Sequence, residues 1–264
     1  NLTINGGTYA PCGADGSSIF ITNSEYEVQF AVTGGFFNTK IGCNDATKAG
    51  VKGSIVGGTF TAEAIEKTNS ALIAYGYKAV EENGVYVVRK PQALIDFENA
   101  VANGNDVTLS EDLELIDPIV VPEGKEVTIN LNGKTLDIYT HKSVGGVLEN
   151  NGTLAIEGGV ISSKANNGGS AIANNGTLTV KNATLNGAPN ADGGWPSYTV
   201  NNTGTMTLEN STITSKHGSV SSYGEGAVLT LNNCTIDMAG IPGFTSHGIY
   251  TYNGGKVVVN GGTY

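Results

Sequence analysis

The residues with most to offer chemically in this chain of 264 are Asp192, Trp195, Tyr198, His217, Phe244 and His247. They lie in NGAPNADGGWPSY after Leu185, TSKHGS after Ile213 and DMAGIPGFTSHGIY after Ile236, where an Asn/Gly/Thr-rich sequence lengthens and gains aromatic rings. An indole or phenol presents an apolar face to a sugar ring, and neighbouring polar groups take its hydroxyls, so the expected chemistry is glycan binding. Hydrolysis is a different matter: it needs two carboxyl groups about 5 to 9.5 Å apart. The acids here are scattered singly, and Glu149, Glu157 and Glu209 read as solvated positions on turns or outward strand faces. His217 and His247 have the nitrogens of a metal ligand or general base, but no third ligand stands at a recognisable spacing, and His141 is no better placed. No catalytic residue and no metal ligand is therefore assigned. The competing enzymatic site would lie near Asp192, His217 and Glu225.

No cofactor is expected. The turns GADGS and CNDATKAG carry oxygens of the kind calcium takes, which leaves calcium as the one ion open to them, yet the ligand-rich repeat of a calcium-binding roll is missing. Of the three cysteines, Cys12 and Cys43 follow equivalent repeat positions, so a disulfide between them is sterically conceivable. Cys234 stands beside a strand Thr and reads as a packed free thiol.

The elements that must position these residues come from a repeat. VLENNGTLAIEGGVI (147–161), AIANNGTLTVKNATL (171–185), TVNNTGTMTLENSTI (199–213) and IYTYNGGKVVVNGGTY (249–264) are copies of one pattern, with a looser copy at 220–236. The recurrent Thr184, Thr212, Thr235 and Thr263 are spaced by 28, 23 and 28 residues, the length of one solenoid coil. Each copy holds short apolar-alternating runs and no room for a crossover helix, so each strand pairs in parallel with its equivalent about 4.8 Å away. The fold class is all-β, a parallel β-helix solenoid with coils of 23–28 residues and short capping helices. The long turns then stack side by side and gather the six residues within about 10 Å along the axis.

The same marker recurs in INGGTY, VTGGFF and IVGGTF at Thr8, Phe36 and Thr59. Between the two sets, TAEAIEKTNSALIAYGY and KAVEENGVYVVRK predict a short helix and a hairpin turned at Asn83-Gly84. A second helix starts at Pro91, carries Leu94, Phe97, Ala100 and Val101 on one stripe, and stops at Gly104. Residues 1–90 are accordingly the last coils and cap of one β-helix module, and 91–264 the capping helix and coils of a second. VVVNGGTY repeats LTINGGTY 255 residues later without a cap after it. The expectation is an excerpt of a longer tandem array, or a subunit whose open coil ends receive a neighbour.

Composition narrows the partners. With a net charge of −10 and a single arginine, Arg89, the chain repels phosphate backbones, so nucleic acid is not expected. No run of about 18 apolar residues is present, so no membrane insertion is expected. A low-Lys, Asn/Gly/Thr-rich acidic surface points to an exported protein.

From ALIDFENAVANGNDVTLSEDLEL through PIVVPEGKEVTINLNGKTL to the NNGTLTV coils, the chain resembles the right-handed, pectate-lyase-like β-helix modules of large bacterial cell-surface proteins. The segment GGTF with the downstream NGVYVV is similar to the closing segment of such modules in gut bacteria, and similar coils occur in phage fibres. The resemblance implies a right-handed coil and an extracellular, cell-surface or virion-fibre location. The enzymes with such coils that act on acidic polysaccharides carry paired acids and basic residues against the uronate, a pattern this chain departs from. The expected function is a non-enzymatic structural or adhesive module of an adhesin, stalk or fibre. Its expected partners are a glycan or host surface protein on the long turns and a second copy at the open coil ends. The alternatives are a carbohydrate-active enzyme and a self-assembling filament or phage-fibre subunit.

Overall fold

Alternation of period two sets the strands: in Thr177–Lys181 (TLTVK) Leu178 and Val180 are buried while Thr177 and Lys181 face solvent. The same inward-outward order recurs in Thr153–Glu157 and Thr205–Glu209. A computed structural model, described at all residues except 14–15, 18, 23–27, 49, 139–145, 165–166, 191–197 and 240–245, stacks these strands into a parallel β-solenoid of about nine turns. It divides into two compact units, Asn1–Gln92 and Ala93–Tyr264.

In the first unit Leu2–Tyr9, Phe30–Phe37 and Thr59–Phe60 pair in parallel, with Thr8 opposite Phe36 and Phe36 opposite Thr59. The recurrent markers are thus true register positions. Tyr9, Phe37 and Phe60 form a column of rings at centroid separations of 4.8 and 4.6 Å. A short helix, α1 (Ala62–Lys67), follows, with Thr61 Oγ1 accepting the Ala64 N–H at 3.3 Å as its N-cap. The hairpin Lys78–Glu82/Val85–Arg89 then lies antiparallel on Thr59–Phe60 and ends the parallel ladder. Its two-residue turn places Asn83 and Gly84 at φ 54° and 84°, the left-handed pair that matches strand twist.

The second unit begins with helix α2 (Gln92–Asn103), which buries Leu94, Phe97 and Val101 over the open end of the core. Ala100, expected on the same stripe, is half-buried. Each full coil beyond it supplies three short strands. One set forms a six-stranded side sheet, from Ile119–Val121 through Leu148–Asn150, Ile172–Asn174, Tyr198–Asn202 and Gly218–Tyr223 to His247–Tyr252. The other two sets form parallel ladders that merge where the long strand Val228–Met238 belongs to both. Thr184, Thr212, Thr235 and Thr263 lie opposite one another in unbroken succession. The unequal coil lengths are therefore absorbed in turns and leave strand register untouched.

Two corners hold the coils in that register. At the first, buried Asn150 donates Nδ2–H to Asn174 Oδ1 at 2.7 Å, Asn174 to Asn202 Oδ1 at 2.7 Å, and Asn202 to Ser222 Oγ at 3.4 Å. The same amides also bond backbone carbonyls, Asn174 reaching Gly176 O at 3.1 Å and Thr205 O at 3.2 Å. Glycine follows two residues later because the preceding coil's carbonyl comes close: a Cβ at Gly176 or Gly204 would sit 2.1 or 2.2 Å from it. At the second corner Gly158, Asn182, Asn210, Asn233 and Gly261 adopt φ of 65°, 53°, 48°, 51° and 78°. Only glycine and asparagine take this conformation cheaply. The next side chain, Ala183, Ser211 or Cys234 in the three Asn corners, is small and buried.

Replacing Asn174 by Ala removes the middle of the column and strands the buried Asn202 Oδ1. Urea unfolding is expected to show a loss of about 2–4 kcal/mol. Asn175→Ala, which breaks two exposed bonds, one donated to Asn151 Oδ1 and one accepted from the Thr203 hydroxyl, is expected to cost under about 1 kcal/mol.

Candidate functional site

The neighbouring strands Tyr198–Asn202, Gly218–Tyr223 and His247–Tyr252 align Tyr198 with Gly218 and Gly218 with His247. The second residue has to be glycine. A Cβ there would lie 2.7 Å from Tyr198 Cδ1, so the tyrosine ring lies across this coil and reaches the next. It stacks on Tyr250 at 5.4 Å with an interplanar angle of 18°. Tyr250 also meets His247 at 5.3 Å in a tilted arrangement and stacks with Tyr252 at 6.2 Å. Tyr252 stacks on Tyr223 at 5.7 Å, and Asn253 Nδ2 donates to the Tyr223 hydroxyl at 3.1 Å. The result is a continuous chain of contacts among four phenol rings and one imidazole at one end of the side sheet. Tyr223 and Tyr252 are about half exposed.

Of the six residues expected to form a site, the structure brings Tyr198 and His247 together within this row. Asp192, Trp195 and Phe244, like His141, lie outside the described residues. His217 is buried, 2% exposed, and its backbone N–H donates to Ser215 Oγ at 3.1 Å. Tyr223, Tyr250 and Tyr252 were not singled out from the sequence. Their signal was the i, i+2 spacing of Tyr250 and Tyr252 in HGIYTY, which puts both on one strand face, and the register that sets Tyr223 opposite Tyr252.

Burial, with a smaller contribution from Tyr250, pushes the Tyr198 phenol up to about 12. His247 Nδ1 is buried without a hydrogen-bond partner among the described residues. The alternative trio does not converge. Glu225 is exposed beyond one end of the strand Gly218–Tyr223 and His217 lies beyond the other, roughly 20 Å apart at about 3.3 Å per residue.

Elsewhere, a cleft of about 420 Å³ in the first unit is lined by residues including Asn38, Lys40, Glu63 and Lys67. Its carboxylate, Glu63, is engaged by Lys67 at 2.7 Å, which holds it below the usual carboxylate range. In the turn 43–50, Asp45 Oδ1 accepts the Thr47 N–H at 3.0 Å and hydroxyl at 2.6 Å, so one oxygen offered for calcium closes its own turn. Among the described residues no group of three or more His, Cys, Asp or Glu gathers around a common point. The cysteines are free thiols, and no bond joins Cys12 to Cys43. Cys234 is buried and its thiol pushed up by that burial; Sγ donates toward Asn232 O at 3.5 Å, as Ser211 Oγ does toward Glu209 O at 2.9 Å one coil earlier. It is a corner residue.

Because the Tyr198 proton is held more tightly in the folded state, folding stability is expected to be level below pH about 10, the ordinary phenol value. It then falls as pH rises toward about 12. Denaturant titrations across that window, compared with Tyr198→Phe, check this; the variant is expected to lose less stability over the same interval.

Comparison with known proteins returns no match: no protein-family model, no curated protein and no solved structure matches the chain.

Proposed function

We propose that this chain is a non-enzymatic, extracellular β-solenoid module of a surface adhesin, stalk or fibre, akin to the pectate-lyase-like modules its coils resemble. It displays an aromatic side face for a glycan. The observation that carries this reading is the row Tyr198, His247, Tyr250, Tyr252 and Tyr223, set on a sheet whose register is held by a buried amide column. Sheet-borne rings lose little freedom on binding, since they are already ordered by one another. The half-exposed phenols of Tyr223 and Tyr252 supply hydrogen-bonding groups, and the net charge of −10 favours an uncharged sugar over a uronate. Catalysis would need two titratable groups facing one another, and His217 and Glu225 are held apart by a whole strand.

Incubating the chain with a broad glycan panel and scoring retention and products by mass spectrometry tests the reading. Retention of neutral glycans without cleavage is expected, weakened about tenfold in Tyr252→Ala. Cleaved products would replace the reading with an enzymatic one. Absence of retention would remove the glycan from it.

A further inference from the structure

Gly42 takes no positive φ, so its own backbone does not require glycine. It stands in the strand Ile41–Cys43 of the first unit, paired in parallel with Ile19–Ile21 so that Phe20 lies opposite it. A Cβ at Gly42 would lie 2.5 Å from Phe20 Cδ2 and 2.7 Å from Ser17 Oγ. The phenyl ring therefore lies across the backbone of the next coil, as the Tyr198 ring lies across Gly218. Ile19, Ile21, Ile41 and Cys43 pack on the core of this unit, which turns Phe20 and Gly42 to the outer face. There the ring is exposed. A lone exposed aromatic is ordinary, but one seated over a glycine is a preformed apolar platform.

Lys40 shares that face, on the far side of Ile41 and roughly 6.6 Å from Gly42 along the chain. It also lines the cleft of about 420 Å³, together with Asn38, Glu63 and Lys67. Lys67 is bridged to Glu63 at 2.7 Å, whereas the Lys40 side chain has no hydrogen-bond or ion-pair partner among the described residues. Two lysines against one glutamate make this cleft locally positive in a chain of net charge −10. A platform and an ammonium at this separation match a pyranose and an anion on its exocyclic carbon, with the apolar face of the sugar on the phenyl and the anion on the ammonium. A purely apolar ligand would leave the ammonium without an acceptor, and a free inorganic anion would leave the ring unused.

We infer that the first unit carries a sugar site of its own, for a pyranose bearing one exocyclic anion, a carboxylate or a sulfate ester. Phe20 stacks on the sugar ring, Lys40 holds the anion, and Asn38 at the cleft takes a hydroxyl. The site draws on none of the residues of the tyrosine row and stands whether or not that row binds a glycan.

Three ligands that differ only at the exocyclic carbon test this: methyl glucoside, methyl glucuronide, and methyl glucoside sulfated at that carbon. Titrated into the isotope-labelled full-length chain, at least one anionic sugar is expected to shift the Lys40 and Gly42 amide signals with an affinity about tenfold above that of methyl glucoside. That preference is expected to fade as salt rises. Lys40→Gln is expected to abolish it, Lys40→Arg to keep it, and Phe20→Ala to weaken binding about tenfold, all with an unchanged strand signal. Tyr252→Ala is expected to leave these shifts as they are, which separates this site from the row. Which anionic sugar binds identifies the anion. Shifts with neither anionic sugar, equal affinity for methyl glucoside, or a preference that survives Lys40→Gln overturns the inference.

Discussion

The buried amide column from Asn150 through Asn174 to Asn202 is the constraint on which the second unit depends. Each carboxamide carries two donors and an acceptor into a region from which water is excluded, where an unmet group costs about 1–3 kcal/mol. Asn150 and Asn174 are met by the next amide and by backbone carbonyls of their own coil and the next, and Asn202 by Gly204 O and the Ser222 hydroxyl. A slip of one residue would leave these groups unmet and turn the apolar residues outward at the same time. Register is thus fixed by polar satisfaction as much as by the apolar alternation, and insertions survive only where they leave the column intact.

The opposite corner explains the rest of the composition. A left-handed residue turns this corner, which is why Asn and Gly recur there, and at the three asparagine corners a small buried residue follows, Ala183, Ser211 or Cys234. Ser211 and Cys234 make the same hydrogen bond with different atoms. A buried thiol pushed up by its surroundings is a poor nucleophile, so Cys234 is explained by shape alone.

The architecture was legible because its signals are local and repeated. The marker residues, the Asn83-Gly84 hairpin and the apolar stripe of α2 all follow from spacing, and strand register agrees with them. The side face was legible only in part. Tyr198 and His247 stood out as departures from the repeat, whereas Tyr223, Tyr250 and Tyr252 looked like ordinary strand residues until register set them side by side. The burial of His217 could not be read from composition, because a turn's inner and outer positions share no periodicity. The amide column was equally hidden, since NNGT serves a turn as well as a ladder.

All of this depends on the amide column behaving as one cooperative element. Side-chain amide hydrogen exchange, followed by NMR for Asn150, Asn174 and Asn202 against the exposed Asn175, tests that directly. The buried amides are expected to exchange only with global unfolding of the second unit, at a common free energy. Exchange of Asn174 as fast as that of Asn175 would contradict the account.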